Sequence, residues 1–425
     1  MKLNFKQTLQ STLDAVERSP RLFIWLSILA SLLLLAGYAL LASLITSMEI
    51  LEFSIKIPWA TLIATYIFLV ASGSGLCIVN ALGSVFGLHR YEMMTKRMAF
   101  LSLTTIIFGM LCIVLHLGHP ERMPIYNALS PNFRSAISWM GALYTVYLVV
   151  VVVELWILTR ADLTNLAKRS SESAKTILNL LTLEKLRGSR LDAMLEDPKI
   201  LRLIGILAFV SGASALSMLG SVFAHSESRV LWYGPYYPIY FLVSAVFSGL
   251  AFLLAVTIIT YRVKKEVILP KVKSLLFEMA QLLALVLTAG FVLTVYRLIS
   301  GLFSPAGGGP VLLLLIGPFS MAFWVFEVGL MSFLPVLILI WSAKKEHLGG
   351  VLVSSLMVLI GTYVMRYEFV VAGQIYPNIK QGLPSYWPAI MEIYVVGGIF
   401  GAFLLVYTLG EKFLALKEKE PHPSS

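Results

Sequence analysis

The chain has 425 residues, of which 58% are hydrophobic and only 13% are charged, and its mean hydropathy is +0.84. Soluble domains have about 45 to 50% apolar and about 25% charged residues, so this composition excludes an ordinary soluble protein. The excess of apolar side chains must face lipid. Because one membrane crossing takes about 20 residues, the chain is predicted to be an all-α polytopic membrane protein with about ten spans.

Ten apolar segments, numbered here as spans 1 to 10, can be placed along the chain. They are predicted at residues 22–46, 58–87, 98–118, 135–159, 203–224, 235–260, 274–300, 316–342, 349–370 and 386–409. Span 1 is longer than the apolar region of a signal peptide, about 7 to 15 residues, and is expected to be retained.

Two blocks of spans are separated by one sizeable polar connection. Spans 1 to 4 occupy residues 22–159 and spans 5 to 10 occupy residues 203–409, with terminal segments at 1–21 and 410–425. The connection at 160–202 has leucines at helical spacing with charges between them. This pattern predicts an amphipathic helix on the cytoplasmic surface of the membrane.

The lysines and arginines are distributed unequally between the two sides of the membrane. If the N-terminus is cytoplasmic, 26 of the 33 fall on the inner side. The 7 on the outer side are Lys56, Arg122, Arg134, Arg229, Arg297, Arg366 and Lys380. The positive-inside rule therefore predicts that both termini are cytoplasmic and that the protein lies in the cytoplasmic membrane. The formal net charge of +10 then belongs to inner loops and does not imply a nucleic-acid partner.

Metal and haem ligands are scarce in this sequence. Cys77 and Cys112 both lie in apolar runs and cannot supply an iron–sulfur cluster or a cysteine-rich zinc site. Among the six histidines only His116 lies well within a span, whereas a bis-histidine haem needs two on facing helices. Cys112 and His116 would give zinc only two ligands, without an acidic third nearby. Any metal redox centre is therefore expected in a partner subunit.

Two histidines mark the outer end of span 3. His116 lies inside this end and His119 lies at its mouth. If the helix continues to His119, the two imidazoles share a face. A neutral imidazole at that depth could exchange a proton with a bound quinol or quinone. An interfacial histidine whose hydrogen bonds are satisfied is the alternative explanation for each of them.

Four glutamates lie within predicted spans, where a charge costs at least ~2.5 to 3.5 kcal/mol at the bilayer centre. Glu154 and Glu278 lie near inner ends and could extend to the interface, and Glu392 lies in the outer third of span 10. Glu327 lies near the middle of span 8, with ~15 apolar residues on either side. Glu154 and Glu327 are therefore candidates for a proton pathway.

Small residues are concentrated at 70–77 in span 2 and at 211–221 in span 5. They could allow close helix packing, or they could form thin cavity walls in which serine hydroxyls and Asn80 bind a ligand headgroup. Gly73 and Gly75 do not form a dinucleotide-binding fingerprint, because no strand precedes them and a third glycine is missing at the required offset.

Tryptophans occur near most span ends, where amphipathic rings are favoured. These residues are Trp25, Trp59, Trp139, Trp232, Trp341 and Trp387. Most are expected to form an interfacial belt. The segment 230–238 has more aromatic residues than a belt needs, and it could cap a headgroup pocket or dock an extracytoplasmic partner.

Together these segments resemble the NrfD/PsrC family, the membrane subunits of polysulfide reductase-like oxidoreductases. Within this family the chain is most similar to the ten-helix branch that includes the HybB-type membrane subunit of uptake hydrogenases. The segments that carry the resemblance are 57–60, 68–76, 115–122, 133–139, 217–221, 323–331 and 363–367.

The resemblance implies two four-helix bundles plus flanking helices, in a subunit without its own haem or iron–sulfur cluster. It further implies that menaquinone or ubiquinone binds among the outer halves of spans 2 to 5. Electrons would pass to or from a ferredoxin-like iron–sulfur subunit on the extracytoplasmic side, in a complex with a catalytic or cytochrome subunit. The residues implied at the site are His116, His119, Ser74, Arg134, Trp139, Ser217 and Ser221.

One position departs from the family pattern. The uptake-hydrogenase subunits have a histidine in span 5 shortly before the segment 217–221, where this chain has Ser214 and Ala215. His116 is the candidate to replace it as the proton-exchanging residue.

The sequence therefore predicts a quinone-interacting membrane anchor of a respiratory oxidoreductase, with proton transfer through Glu154 and Glu327. A secondary transporter is one alternative, because ten spans with buried carboxylates also suit that class. Transporters usually have helices interrupted near the midplane, yet spans 7, 9 and 10 lack a mid-span proline and Pro335 in span 8 is the nearest candidate. A passive anchor that binds no quinone is the other alternative.

Overall fold

The computed structural model describes residues 20–46, 57–117, 119–168, 172–184, 189–195, 197–304, 308–375, 387–414 and 416. This part of the chain contains helices and no β-strand, and ten of the helices are long and apolar enough to cross a membrane. They are α1 Pro20–Thr46, α2 Thr61–Ser84, α3 Thr95–His116, α4 Ala136–Ala167, α5 Pro198–Ala224, α6 Tyr236–Lys264, α7 Pro270–Phe303, α8 Ala322–Lys345, α9 Leu348–Ile375 and α10 Ile390–Phe413. The predicted all-α class and the ten spans are confirmed.

Eight of these helices form two four-helix bundles. In the first bundle α2, α3, α4 and α5 pack in a ring, each against the next and α5 against α2. In the second bundle α6, α7, α8 and α9 pack in the same way, with α9 against α6. Helices α2 and α5 contact α6, and α2 also contacts α9, so the two bundles share a packed interface. The predicted pair of bundles is confirmed.

Glycines allow this interface to form. A Cβ placed on Gly75 of α2 would collide with the Ala245 carbonyl of α6, and one on Gly249 of α6 would lie 2.6 Å from the backbone nitrogen of Leu76. Gly73 faces α3 in the same way, through Thr105 and the Ser102 carbonyl. The small residues of span 2 therefore serve close packing, as one of the two interpretations of the sequence predicted.

Helix α1 and most of α10 form a unit of their own, which among the described residues comprises 20–46 and 387–409. Gly398 of α10 lies against the Ala36 side chain of α1, and Trp25 Nε1 donates a hydrogen bond of 3.2 Å to Thr408 Oγ1. Glu392 is buried within α10.

The connection between the two blocks of spans is more structured than predicted. Helix α4 continues past residue 159 to Ala167, and short helices follow at Glu172–Leu181 and Arg190–Leu195. Trp156 Nε1 donates to the Leu181 carbonyl at 2.7 Å, and Arg160 pairs with Asp192. The described part of this connection is therefore two short helices held against the end of α4, rather than one surface helix.

Helix α8 is irregular. Its first half, Ala322–Phe333, is π-helical, and its second half, Leu334–Lys345, is α-helical. Pro335 lies just after the transition from π-helix to α-helix. Because proline lacks a backbone N–H, it cannot donate the helical hydrogen bond expected at its position. The Leu334 N–H instead bonds the Gly329 carbonyl, five residues earlier. Glu327 lies within the π-helical half of α8, and π-helical segments are frequent at functional sites.

The ends of α3, α5, α7 and α9 lie on one side of the double bundle, here named the His119 side. Loops on this side are joined by Gln374 at the end of α9: its Oε1 accepts from Trp59 N at 3.0 Å, and its carbonyl accepts from Arg229 Nη1 at 2.9 Å. On the opposite side ion pairs join the helix ends, including Lys96 with Asp162 and, at 2.7 Å, Lys273 with Glu346.

Two of the predicted belt tryptophans have a different role. Trp59 and Trp232 stack at 5.5 Å between ring centroids, and Trp232 is buried with its Nε1 donating to the Phe369 carbonyl at 2.7 Å. Phe223 packs edge-on against both rings. This aromatic cluster fixes the α5–α6 loop to the end of α9, because a buried indole that has a partner for its N–H contributes a large packed surface.

Candidate functional site

A cavity of about 280 Å³ lies between α3 and α4 on the His119 side. Its volume is near the lower end of the ~300 to 1,000 Å³ that small-molecule sites occupy. Most of its wall is apolar, with a few polar groups at the mouth and on the inner wall. The lining residues are Tyr66, Met110, Ile113, Leu117, His119, Arg122, Met123, Tyr126, Ile137, Met140, Gly141 and Tyr144.

The segment after α3 forms the mouth of this cavity. Helix α3 ends at His116 because Leu117 adopts an extended conformation, with ψ of 131°. The chain then returns as a helical turn at Arg122–Pro124 and a π-helical turn at Ile125–Leu129. The condition under which His116 and His119 would share one helix face is therefore not met. Of the two imidazoles, only that of His119 lines the cavity.

Three charged or ionisable side chains group at the mouth. His119 Nδ1 lies 3.0 Å from Glu121 Oε1, and Arg122 Nε lies 3.9 Å from the same oxygen. A hydrogen bond from its own backbone, with further contributions from His119 and Arg122, lowers the pKa of the Glu121 carboxyl below its usual value. The mouth therefore has one carboxylate beside one cation and one imidazole.

Two tyrosines form the inner wall. Tyr144 of α4 and Tyr66 of α2 are both buried, and the Tyr66 hydroxyl donates to Met140 Sδ at 3.4 Å. Ser74 Oγ lies beside the Tyr144 hydroxyl. Neither of these two oxygens has a hydrogen bond of ordinary geometry within the described residues. Buried hydroxyls of this kind can bind the polar end of a ligand or an ordered water.

The cavity is open toward the exterior of the bundle. Ile137 and Tyr126, which line it, are 50% and 58% exposed, and Leu129 next to them is 82% exposed. Ile137 lies in the first turn of the membrane helix α4, where an exposed apolar side chain faces lipid, and Tyr126 and Leu129 lie in the loop before this helix. The cavity can therefore accept a headgroup while an attached apolar chain extends into the bilayer.

The other residues predicted at the site lie outside this cavity. His116 is half-buried at the end of α3, and Arg134 is exposed in the loop before α4. Trp139 is exposed and its Nε1 donates to the Phe133 carbonyl at 2.9 Å. Ser221 Oγ bonds the Ser217 carbonyl within α5 at 2.9 Å. Ser74 is the one among the predicted serines that touches the cavity wall, through Tyr144.

Glu154 is buried and does not extend to the interface. Asn80 Nδ2 donates to its Oε1 at 2.9 Å, which joins α4 to α2 inside the first bundle. Glu278 is partly exposed and pairs with Arg90 at 3.1 Å. The interfacial interpretation is thus confirmed for Glu278 and wrong for Glu154. Asn80, one candidate for headgroup binding, is bonded to Glu154 instead.

A second polar group of side chains lies inside the second bundle around Glu327. Arg297 Nη2 of α7 lies 3.2 Å from Glu327 Oε1, and Thr294 Oγ1 donates to the same oxygen at 3.2 Å. Arg366 of α9 is fully buried; its Nη2 donates to Ser244 Oγ at 2.6 Å, and its guanidinium lies 4.2 Å from the centre of the Phe241 ring. Glu327 therefore has a cation as its partner, which explains how its charge is tolerated.

Sequence reasoning missed much of this group. The outer count of basic residues includes Arg297 and Arg366, although both fall inside predicted spans, and the structure places them within α7 and α9. Glu368 is not among the predicted intramembrane carboxyls. The neighbouring opposite charges of Arg366 and Glu368, with apolar residues on both sides, were the available signal. The imbalance of basic residues between the two sides is larger once these two arginines are removed from the outer count.

No set of three or more histidine, cysteine, aspartate or glutamate side chains comes together as a metal site within the residues that the structure describes. Cys77 and Cys112 are buried and unpaired with each other.

The fold and the cavity define a class: a polytopic helical membrane protein with two four-helix bundles and a largely apolar cavity in the first. Residues 49–378 match the NrfD polysulphide reductase family. The chain belongs to this family.

Two curated relatives match over most of their length. A selenate reductase subunit of Mesobacillus selenatarsenatis is 26% identical over 388 residues, which cover 86% of this chain and 88% of the relative. The Hdr-like menaquinol oxidoreductase integral membrane subunit of Archaeoglobus fulgidus is 24% identical over 379 residues, which cover 85% of each chain. The chain is thus similar to membrane subunits of oxidoreductase complexes.

Proposed function

We propose that this chain is the quinone-interacting membrane subunit of a respiratory oxidoreductase, and that menaquinone or ubiquinone binds in the α3–α4 cavity. The observation that carries this proposal is the combination of an apolar cavity, a polar mouth and an opening toward lipid. A quinone has the same combination: a flat ring, two carbonyl oxygens and an apolar tail. The relative from Archaeoglobus fulgidus, a menaquinol oxidoreductase subunit by name, supports the assignment.

The cavity offers polar groups at two places where ring oxygens could bind. At the mouth His119 and Arg122 present donors, and on the inner wall Tyr144 presents its hydroxyl. A guanidinium can stabilise negative charge that develops on a ring oxygen, because charge-assisted hydrogen bonds are about twice as strong as neutral ones. The His119 imidazole can take or return the proton, with Glu121 orienting its ring through the 3.0 Å contact.

The His119 side is then the extracytoplasmic side, and the electron-transfer partner docks there. The basic residues on the opposite helix ends, such as Lys96 and Lys273, support this orientation through the positive-inside rule. A ferredoxin-like iron–sulfur subunit next to the mouth would place a cluster near the cavity. A catalytic or cytochrome subunit would complete the complex.

Proton transfer through Glu154 and Glu327 is part of the same proposal. Both carboxyls are buried within spans, one in each bundle. Quinone chemistry releases or takes up protons with its electrons, so buried carboxyls can connect that chemistry to the far side of the membrane.

Equilibrium binding tests the proposal. The purified protein in lipid nanodiscs is titrated with short-chain analogues of menaquinol and of ubiquinol. We expect Arg122→Gln and Tyr144→Phe to weaken binding at least about tenfold, about 1.4 kcal/mol, and His119→Ala to slow quinol oxidation by the complex. Arg134→Gln serves as the matched control, because Arg134 lies outside the cavity. Failure of both analogues to bind would contradict the proposal and favour a passive anchor.

A further inference from the structure

A second, much smaller cavity lies inside the second bundle. Its volume is about 10 Å³, close to the space that one water molecule requires. Two carboxyl groups, Glu327 and Glu368, and the Arg297 guanidinium line it, together with Tyr237. A buried water needs two to four polar partners, and this cavity provides them.

The two carboxyl groups are not equivalent. Glu327 has Arg297 at 3.2 Å and the Thr294 hydroxyl at 3.2 Å. Glu368 is 3% exposed, and its Oε2 has no hydrogen-bond partner within the described part of the chain. Glu368 shares this cavity with Arg297 but forms no ion pair with it, and a bound proton removes the cost of a buried carboxylate charge. Glu327 is thus suited to be the ionised carboxyl and Glu368 to carry a proton.

We propose that Glu368 holds an exchangeable proton beside one ordered water, and that Glu327 is the ionised partner of Arg297 while Glu368 carries this proton. The groups that face Glu368 are Arg297 from α7, Glu327 from α8 and Tyr237 from α6, with Arg366 on its own helix. The Glu368 carboxyl gives its proton to the water and takes one back from it. No other bond forms or breaks.

Polar groups lead from this site toward the first bundle. Arg366 is hydrogen-bonded to Ser244 and interacts electrostatically with Tyr240 and, across the bundle interface, with Tyr144. Its Nε and Nη1 have no hydrogen-bond partner within the described residues, which is typical of groups that bind internal water. Tyr144 lines the α3–α4 cavity, so protons could move between the two bundles. This link to quinone chemistry rests on the function proposed above, whereas the proton on Glu368 does not.

Infrared spectroscopy tests the proton on Glu368 without any quinone. The full chain in nanodiscs is studied by pH-induced and hydrogen–deuterium difference spectra in the carbonyl region of protonated carboxylic acids. We expect Glu368→Gln to remove one protonated-carboxyl band and Glu368→Asp to shift it. The matched control is Glu278→Gln at the interface, which should not change that band.

The outcomes separate the two parts of the inference. If Glu368→Gln leaves all protonated-carboxyl bands in place in a folded protein, the proposal is overturned. Should the glutamine variant misfold, the shift expected with Glu368→Asp provides the same test. A band that responds to Glu368 but not to quinone reduction would support the proton site and overturn the link. Quinone binding by the α3–α4 cavity variants tests the proposed function separately, and the band of Glu368 should be the same whether or not those variants bind quinone.

Discussion

Arg297 of α7 and Glu327 of α8 form an ion pair inside the second bundle, with 3.2 Å between Nη2 and Oε1. The Glu327 side chain is 2% exposed. Two opposite charges at this depth stabilise each other, and each would be expensive alone. The pair therefore joins α7 to the π-helical segment of α8. It also allows the charge of Glu327 to be buried within a span.

Breaking this pair should destabilise the protein strongly. We expect Arg297→Gln or Glu327→Gln alone to lower the free energy of unfolding by about 3 to 5 kcal/mol, because each leaves an uncompensated buried charge. The double variant should lose less than the sum of the two, since it leaves no charge unpaired. Titration with a denaturing detergent measures all four proteins, and strict additivity would show that the pair has no net coupling.

The contact between the bundles should be sensitive to a single methyl group. Gly75→Ala places a Cβ against the Ala245 carbonyl of α6, and backbone there cannot yield as a flexible side chain can. We expect a loss of about 1 to 3 kcal/mol or more in the free energy of unfolding. Gly37→Ala is the matched control, because that position has nothing within 4 Å and alanine favours a helix by about 0.5 to 1 kcal/mol. Equal effects of the two substitutions would contradict the packing explanation.

The aromatic cluster on the His119 side should depend on Trp232. In Trp232→Phe the buried hydrogen bond to the Phe369 carbonyl is lost, and we expect a cost of about 1 to 3 kcal/mol in a thermal or detergent unfolding experiment. Trp139→Phe removes an indole that is 43% exposed, and surface changes usually fall within about 0.5 kcal/mol. A larger effect at Trp139 would reverse the assignment of which tryptophan is structural.

Cysteine labelling tests the orientation. Glu121→Cys on the His119 side and Glu346→Cys on the opposite side both change exposed residues, and the native Cys77 and Cys112 are buried. A membrane-impermeant maleimide should label position 121 in intact spheroplasts and position 346 only after lysis. The unaltered protein gives the background. The reverse pattern would place the candidate cavity on the cytoplasmic side.

The spans were predictable because hydropathy is a property of consecutive residues. The buried charges were harder: span 9 was predicted to end at 370, which put Arg366 close to a boundary, whereas α9 continues to Ile375 and buries it. In the sequence, an arginine near the end of an apolar run cannot be distinguished from a residue that flanks the span, because only its tertiary contacts show that it is buried.

The cavity could be predicted only in part. His119 was identified because histidine at a span end is conspicuous, and the region between the first spans was the expected one. Tyr66 and Tyr144 could not be selected from 18 tyrosines, because their position on the cavity wall depends on the packing of three helices. The early end of α3 at His116, which opens the mouth, agrees with Gly118 and Pro120 in the sequence, since glycine and proline directly after an apolar run favour a helix end.

The most direct test of the central claim is photoaffinity labelling with an azido-quinone in the native membrane complex. We expect the label on peptides from residues 110–144, displaced by excess quinone and reduced by Ile113→Trp, which fills the cavity from its wall. Labelling confined to the second bundle, or labelling of residues 110–144 that Ile113→Trp leaves unchanged in a folded protein, would contradict a quinone site between α3 and α4.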